Sequence, residues 1–349
     1  MRPALLILLS FSCAFLLCAC SSFSYYRQLA SGHFAVMGNA TPLDKALETA
    51  TPATADKLRL IQQARDFAEQ ELKLAASGSY ESYVDLDRSY VVQNLYAAPE
   101  FSTDLKHWCY PLVGCAAYRG YFDESQLHRE QLRLSREGFD THKAPAIAYS
   151  TLGWFDDPVL NTFVALPDHQ IVALIFHELA HQRLYLRGDT EFNESFATAI
   201  ERAGLRAFYS NPDAPELKAY DAQLATSRRI NALAQTTRED LAQFYRQNLP
   251  DADKRARKAA LLAAASRVYA EIIGREIAPL NNASLGLINT YGGLVPGFEA
   301  ILESVHGDVE EFAARVQSIS RLDEIERHSC LHAWGDPDRP GQAKPQCWE

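Results

Sequence analysis

The stretch Ile171-Val172-Ala173-Leu174-Ile175-Phe176-His177-Glu178-Leu179-Ala180-His181 constrains this chain more than any other. A run of apolar residues leads straight into a His-Glu-x-x-His pentad. Pro167 suits a first helical turn, Asp168 adds favourable charge there, and Gly188 suits the end. The spacing therefore predicts a helix of about 20 residues. A helix that apolar belongs in a core. Residues four apart on a helix project from one face, one turn apart, so both imidazoles can reach a single ion. Unpaired polar groups in a core cost several kcal/mol. A metal supplies the partner that apolar packing cannot. Glu178 follows the first histidine, to the side of the ligands, where it can take a proton from an activated water. The bland alternative is a packing role without metal, which leaves two imidazoles and a carboxylate to be satisfied some other way.

Two histidines do not complete a catalytic zinc shell, which takes a third protein ligand and keeps one position open. Past Gly188 a second helix is expected over roughly 191–209, carrying Asn193-Glu194-Ser195-Phe196-Ala197-Thr198. A tight turn would lay it antiparallel against the first. Glu194 and Glu201 are seven apart and share a face. Rise per residue does not choose between them, because the helix start is open by a turn. Asp189 and Glu191 fall in the turn and are less suited.

The Asn-Glu pair followed by small residues resembles the second motif of the gluzincin metallopeptidases. That resemblance makes Glu194 the third ligand. Thermolysin-like members carry an Asp four residues on that orients a ligand histidine. Thr198 stands there in this chain, which leaves Glu201 for that task. The gap from His181 to Glu194 is also shorter than in most gluzincins. A wider match exists. Ala148-Tyr149-Ser150-Thr151-Leu152-Gly153-Trp154-Phe155, then the pentad, then Gly188-Asp189-Thr190-Glu191-Phe192-Asn193-Glu194, resembles a bacterial family of putative aminopeptidases. So do Tyr90-Val91-Val92, Ala97-Ala98-Pro99-Glu100-Phe101, Trp108-Cys109, Gly114-Cys115 and Tyr118-Arg119-Gly120-Tyr121. The resemblance implies one catalytic Zn2+, a peptide substrate and hydrolysis with Glu178 as general base. In gluzincins a downstream Tyr or His commonly steadies the oxyanion, which points to Tyr291, with Tyr149 and His306 as weaker options. Aminopeptidase action is expected from the family. Nothing like a glycine-rich acidic motif for gripping a terminal amine is present, and Glu201 is the nearest free acid for that role. The rival readings are a zinc endopeptidase and a non-catalytic, zinc-stabilised envelope lipoprotein serving binding or assembly.

The N-terminus reads as a signal. Arg2 precedes an apolar run from Ala4 to Leu17 that is too short to span a membrane. It ends in Leu17-Cys18-Ala19-Cys20, which resembles the bacterial lipobox. This implies that residues 1–19 are removed, that Cys20 is lipidated, and that the chain is held on a membrane by acyl chains. Ser21 at the next position resembles the pattern sorted to the outer membrane, facing the periplasm. Seven cysteines then reduce to Cys109, Cys115, Cys330 and Cys347. An even count in an exported protein predicts disulfides, and proximity favours Cys109–Cys115 and Cys330–Cys347. A net charge of −10 with no basic run argues against a nucleic-acid partner.

Elsewhere, periodicity predicts helices at 24–38 and 54–75. Ser79 to Leu95 reads as a β-hairpin or two nearby strands. A strand at 116–122, a helix capped by Asp123 and ended by Gly138, and a strand at 145–149 predict a βαβ unit and a partly parallel sheet. Residues 214–248 and 251–273, parted by Pro250, predict an antiparallel helical hairpin. Gly292, Gly293, Pro296 and Gly297 mark a turn-rich segment, followed by a helix to 318 and a loop after His328. The expected fold is α+β and helix-rich: residues 20–349 as one metallopeptidase domain, with a zincin-like core, a small mixed sheet packed on the zinc-binding helix, and the hairpin 214–273 as a subdomain.

Overall fold

Local signals set most element ends. A computed structural model of the chain describes residues 24–74, 77–110, 114–148, 151, 155–288, 293–336 and 345–348. Helix α1 covers 24–38. A short strand β1 (Thr41–Pro42) and helix α2 (Leu43–Thr49) follow. Helix α3 (Pro52–Gln70) starts with Pro52 in its first turn and Thr51 as cap, and buries Leu58, Ile61, Ala64 and Ala68. Strands β2 (Ser82–Val84), β3 (Val92–Pro99), β4 (Trp108–Tyr110), β5 (Gly114–Ala116) and β6 (Arg119–Tyr121) lead to helix α4 (Glu124–Arg136). Asp123 caps α4 by accepting from the amides of Ser125 and Gln126. Strand β7 (Phe139–Ala146), strand β8 (Val159–Leu160) and helix α5 (Asn161–Val164) complete the first half.

The second half is helical. It comprises α6 (Asp168–Arg183), α7 (Thr190–Tyr209), α8 (Pro215–Tyr245), α9 (Asp251–Ile273), α10 (Asn282–Leu287), α11 (Val295–Ser304), α12 (Val309–Ile319) and α13 (Glu324–Gly335). The fold is thus α+β, helix-rich, with small sheets. No helix among the described residues is long and apolar enough to cross a membrane.

The sheets depart from expectation in two ways. Residues 79–95 form two strands, the second of the expected alternatives, but no hairpin: β2 pairs with β1 and β8, whereas β3 pairs with β6 and β7 in a separate sheet. The strand–helix–strand order of β6, α4 and β7 holds, but both strands are antiparallel to β3, which lies between them. They are therefore parallel to each other without pairing. The parallel pair among the described strands is β2 with β8, in the mixed sheet β1-β2-β8. That mixed sheet shares the main core with α6 through Val84, Val159 and Leu160. The β6-β3-β7 sheet buries Leu95 and Ala97 on one face with Leu127 and Leu134 of α4, and Tyr96 and Ala98 on the other with Ala283 of α10.

Helix α6 is the centre of the main core. Ile171, Val172, Ile175, Phe176, Leu179 and Ala180 are all buried, which is why its apolar residues run all the way round rather than along one stripe. Lys57 of α3 ties down its start by donating to Leu166 O and pairing with Asp168. Helix α7 runs back along α6, and the two approach closely at Gly204. A Cβ there would lie 2.6 Å from Leu72 Cδ1 and 2.8 Å from Phe176 Cδ2. Behind α7, Phe192 and Phe196 pack on Phe298 of α11, and Phe196 stacks on Phe312 of α12 at 5.9 Å. Helices α8 and α9 form the expected hairpin, whose α9 docks on the antiparallel sheet through Lys258, paired with Asp140 at 2.7 Å.

Several helix ends were misplaced by the sequence signals. The helix expected at 54–75 starts at Pro52 and stops at Gln70. Helix α6 stops at Arg183, short of Gly188, because Leu184 is extended (φ −149°, ψ 124°). Gly188, at φ +88°, shapes the α6–α7 turn instead. The expected helix 297–318 is broken between α11 and α12, where His306 (φ 54°) and Gly307 (φ 82°) turn the chain. The residues after His328 are not loop: α13 runs on to Gly335 and presents Cys330 to Cys347. Both expected disulfides, Cys109–Cys115 across β4 and β5 and Cys330–Cys347, are formed.

Candidate metal centre

The antiparallel packing of α6 and α7 brings the pentad onto two glutamates. His177 Nε2 lies 3.3 Å from Glu194 Oε2, and His181 Nε2 lies 3.7 Å from Glu194 Oε1. Ligand atoms of His177, His181 and Glu194 all fall within 4.8 Å of one another, the one such cluster among the described residues. The two rings stand nearly perpendicular, centroids 4.9 Å apart. Glu201 takes a different place, on the far side of His177: Nδ1 of that ring donates to Glu201 Oε2 at 2.9 Å. The other oxygen of Glu201 accepts the Tyr220 hydroxyl of α8 at 2.5 Å.

The α6–α7 turn fixes which glutamate stands where. Asn193, beside Glu194, clamps the turn with its side chain: Oδ1 accepts from Leu186 N and Nδ2 donates to Leu186 O, each at 2.7 Å. Asp189 caps α7 by accepting from Phe192 N at 3.0 Å. It is nearly fully buried and is held from outside by Arg327 (2.6 Å) and His328 (2.9 Å) of α13. Burial alone would raise the Asp189 carboxyl; the Phe192 amide, Arg327 and His328 outweigh it and hold it below the usual range. Glu191 belongs to the first turn of α7 and contacts Gly293 rather than the ligand cluster.

The electrostatics of the cluster follow from burial among like charges. Burial alone would lower His177, but hydrogen bonds to Glu194 and Glu201 outweigh it and push its pKa up to about 10. Burial, then the neighbouring His177 charge, pull His181 down to about 4. Burial works to raise Glu194, yet the His177 hydrogen bond and both histidine charges hold it below the usual carboxylate range. Burial pushes Glu178 up to about 7, a shift opposed by His177 and favoured by Glu194, Asp157 and Glu201. One carboxylate thus leans on two imidazole nitrogens, with another carboxylate beside it. His181 Nδ1 is buried with no hydrogen-bond partner. These residues fit a divalent cation: two nitrogen donors and a carboxylate converge on one point. A cation there would offset the negative charge gathered around Glu178.

Sequence reasoning missed several neighbours. Asp157, buried just ahead of β8, accepts from Thr151 N at 2.9 Å and acts electrostatically on Glu178. Tyr118 follows β5 and packs its ring tilted against Tyr96, centroids 5.6 Å apart. Burial pushes its pKa up to about 12, with Glu194, Tyr185 and Glu178 adding to the rise. Tyr185, in the α6–α7 turn, is raised by burial and by Glu194. Both tyrosines keep exposed surface, 38% and 41%. Tyr118 stood in a quoted motif but carried no sign of its destination, since the β4–β5 hairpin meets the α6–α7 turn only in the fold: a Cβ on Gly114 would sit 3.7 Å from Gly188 N. His306 is exposed in the α11–α12 turn. Tyr291, Tyr149 and Cys20 lie outside the described residues.

Fold and site together define a helix-rich α+β protein whose central helix pair carries a His-His-Glu ligand cluster. Residues 24–331 match the family described as putative aminopeptidase, and the chain belongs to that family. Searches of curated proteins and of solved structures each gave no match.

Proposed function

We propose that the chain is a zinc peptidase of the gluzincin type, acting as an aminopeptidase on a zincin-like core. The observation that carries this reading is the convergence of His177, His181 and Glu194 within 4.8 Å, with Glu178 adjoining on the same helix. His177, His181 and Glu194 would hold the ion. Zinc, when bound, supplies a Lewis acid that polarises the scissile carbonyl and acidifies water. Glu178 takes the proton from the attacking water and delivers it to the leaving amine. Glu201 holds the His177 ring by accepting from Nδ1. Tyr118 takes the part of oxyanion donor: the β4–β5 strand pair it follows meets the α6–α7 turn, and its hydroxyl is near enough to feel the charges of both Glu194 and Glu178. The N-terminal motif supports export, lipidation at Cys20 and residence on the periplasmic side of the outer membrane. Two disulfides accord with an oxidising compartment.

The test is Glu178→Gln. It should keep zinc content and melting behaviour while peptide hydrolysis falls by about 10²–10⁴. A zinc-loaded wild type that cleaves nothing in broad peptide libraries overturns the peptidase reading in favour of a binding or assembly role. Paired free and N-acetylated peptides decide the mode: an aminopeptidase loses the acetylated set, an endopeptidase cleaves both. Glu194→Ala should abolish zinc retention, and Glu201→Ala should weaken it without abolishing it.

A further inference from the structure

We infer that Tyr220, on the first helix of the hairpin, is a positioning residue for the metal centre that acts through Glu201. The inference rests on the zinc reading above. Glu201 engages both of its oxygens: Oε2 accepts from His177 Nδ1 at 2.9 Å and Oε1 accepts from the Tyr220 hydroxyl at 2.5 Å. The terminal torsion of a glutamate is soft. One donor fixes one oxygen and leaves the plane of the carboxylate free to swing. A second donor fixes the plane. Through it, Tyr220 sets the line along which His177 Nδ1 is held, and so the direction in which Nε2 faces Glu194.

The surroundings make that second donor matter. Tyr220 is 3% exposed, so solvent does not readily replace its hydroxyl. Arg202 acts electrostatically on both Glu201 and Tyr220, while its guanidinium pairs with Glu299 at 2.9 Å. Without the Tyr220 hydroxyl, Oε1 loses its donor in a part-buried site, which is costly for an ionised acceptor. Arg202, which already attracts Glu201, is then a competing partner, and turning towards it would draw Glu201 away from His177. The ring of Tyr220 packs in the main core, a task phenylalanine performs equally well. What the hydroxyl adds is the link to Glu201. Other side-chain ties in this part of α8, Gln170 to Gln223 and Arg206 to Asp221, are exposed and contribute little. Tyr220 is therefore the buried connection through which docking of the hairpin bears on the metal ligands.

The experiment measures zinc affinity, by competition with a chromophoric chelator, for wild type, Tyr220→Phe, Glu201→Ala and the double variant. Glu201→Ala should weaken zinc about 10–100-fold, and Tyr220→Phe roughly tenfold. In the Glu201→Ala background the further effect of Tyr220→Phe should shrink to under about twofold, since a residue acting through Glu201 has nothing left to act on. Unchanged affinity in Tyr220→Phe overturns the inference, as does an equal loss with and without Glu201, which marks plain packing. Wild type that is folded but takes up no zinc overturns the zinc reading itself. Amide exchange of the wild type requires no variant. By reciprocity, zinc should slow exchange at 216–224 more than at the middle of α9. Equal slowing counts against the link.

Discussion

Asp189 joins two jobs in one buried carboxylate, and its removal should show both. It caps α7, five residues before Glu194, and it neutralises Arg327, whose side chain is only 11% exposed. Asp189→Asn keeps a capping oxygen, since Asn caps as well as Asp, but leaves Arg327 uncompensated. Removing one partner of a buried ion pair costs about 3–5 kcal/mol. Asp189→Ala also loses the cap, worth about 1 kcal/mol. These losses fall on the same atoms and do not simply add, so about 3 kcal/mol is expected for Asn and about 4 kcal/mol for Ala. Urea unfolding of the metal-free, disulfide-intact protein measures this as a lower midpoint at constant slope. Pairing Asp189→Asn with Arg327→Met removes the stranded charge and should restore stability to within about 1 kcal/mol of wild type. The sign with pH is fixed by the depressed Asp189 carboxyl. Its contribution is complete above the ordinary value of 3.8 and is lost as pH falls through the lower folded value. The gap between wild type and Asp189→Asn should therefore close in acid. An Asn variant within 1 kcal/mol of wild type at pH 7, or a gap that widens below pH 4, refutes the reasoning.

Tyr118→Phe should lower kcat by about 10²–10³ with little change in KM or zinc content, the pattern of a donor that acts in the transition state. Steady-state kinetics on a free-amine peptide reads this. Gly204→Ala places a methyl 2.6 Å from Leu72 Cδ1 at the α6–α7 contact and should destabilise by about 1–3 kcal/mol in urea. Since the added methyl presses on α7 itself, zinc affinity should fall with it. Replacing both Cys330 and Cys347 with Ser opens a 17-residue separation and should cost about 3 kcal/mol by loop closure, seen as a lower thermal midpoint.

Local chemistry was legible along the chain because it depends on neighbours in sequence. The Asp123 cap, the hairpin break at Pro250 and the burial of α6 could all be read from residue order. Both cysteine pairs followed from proximity. Signals that stand for more than one outcome were misread. Gly188 reads as a helix end, yet it serves the following turn, and Gly307 breaks a run whose apolar spacing continues on either side. The partners of β2 and β3 were invisible, because strand pairing joins segments far apart, and β8 reaches β2 across 75 residues or so.

The pentad, by itself, determined that two imidazoles share one face of a buried helix, because 3.6 residues per turn allow nothing else. It left Glu194 and Glu201 level. The two stand seven residues, about 10.5 Å, apart along α7, so a helix start open by one turn, about 5.4 Å, leaves undecided which of them faces the imidazoles. Tertiary structure decided the matter. The Asn193 clamp on Leu186 and the Asp189 cap held by α13 fix the register of α7, setting Glu194 against both imidazole Nε2 atoms and Glu201 against the back of one ring. Tyr220 then meets Glu201 from a helix whose approach no local spacing encodes.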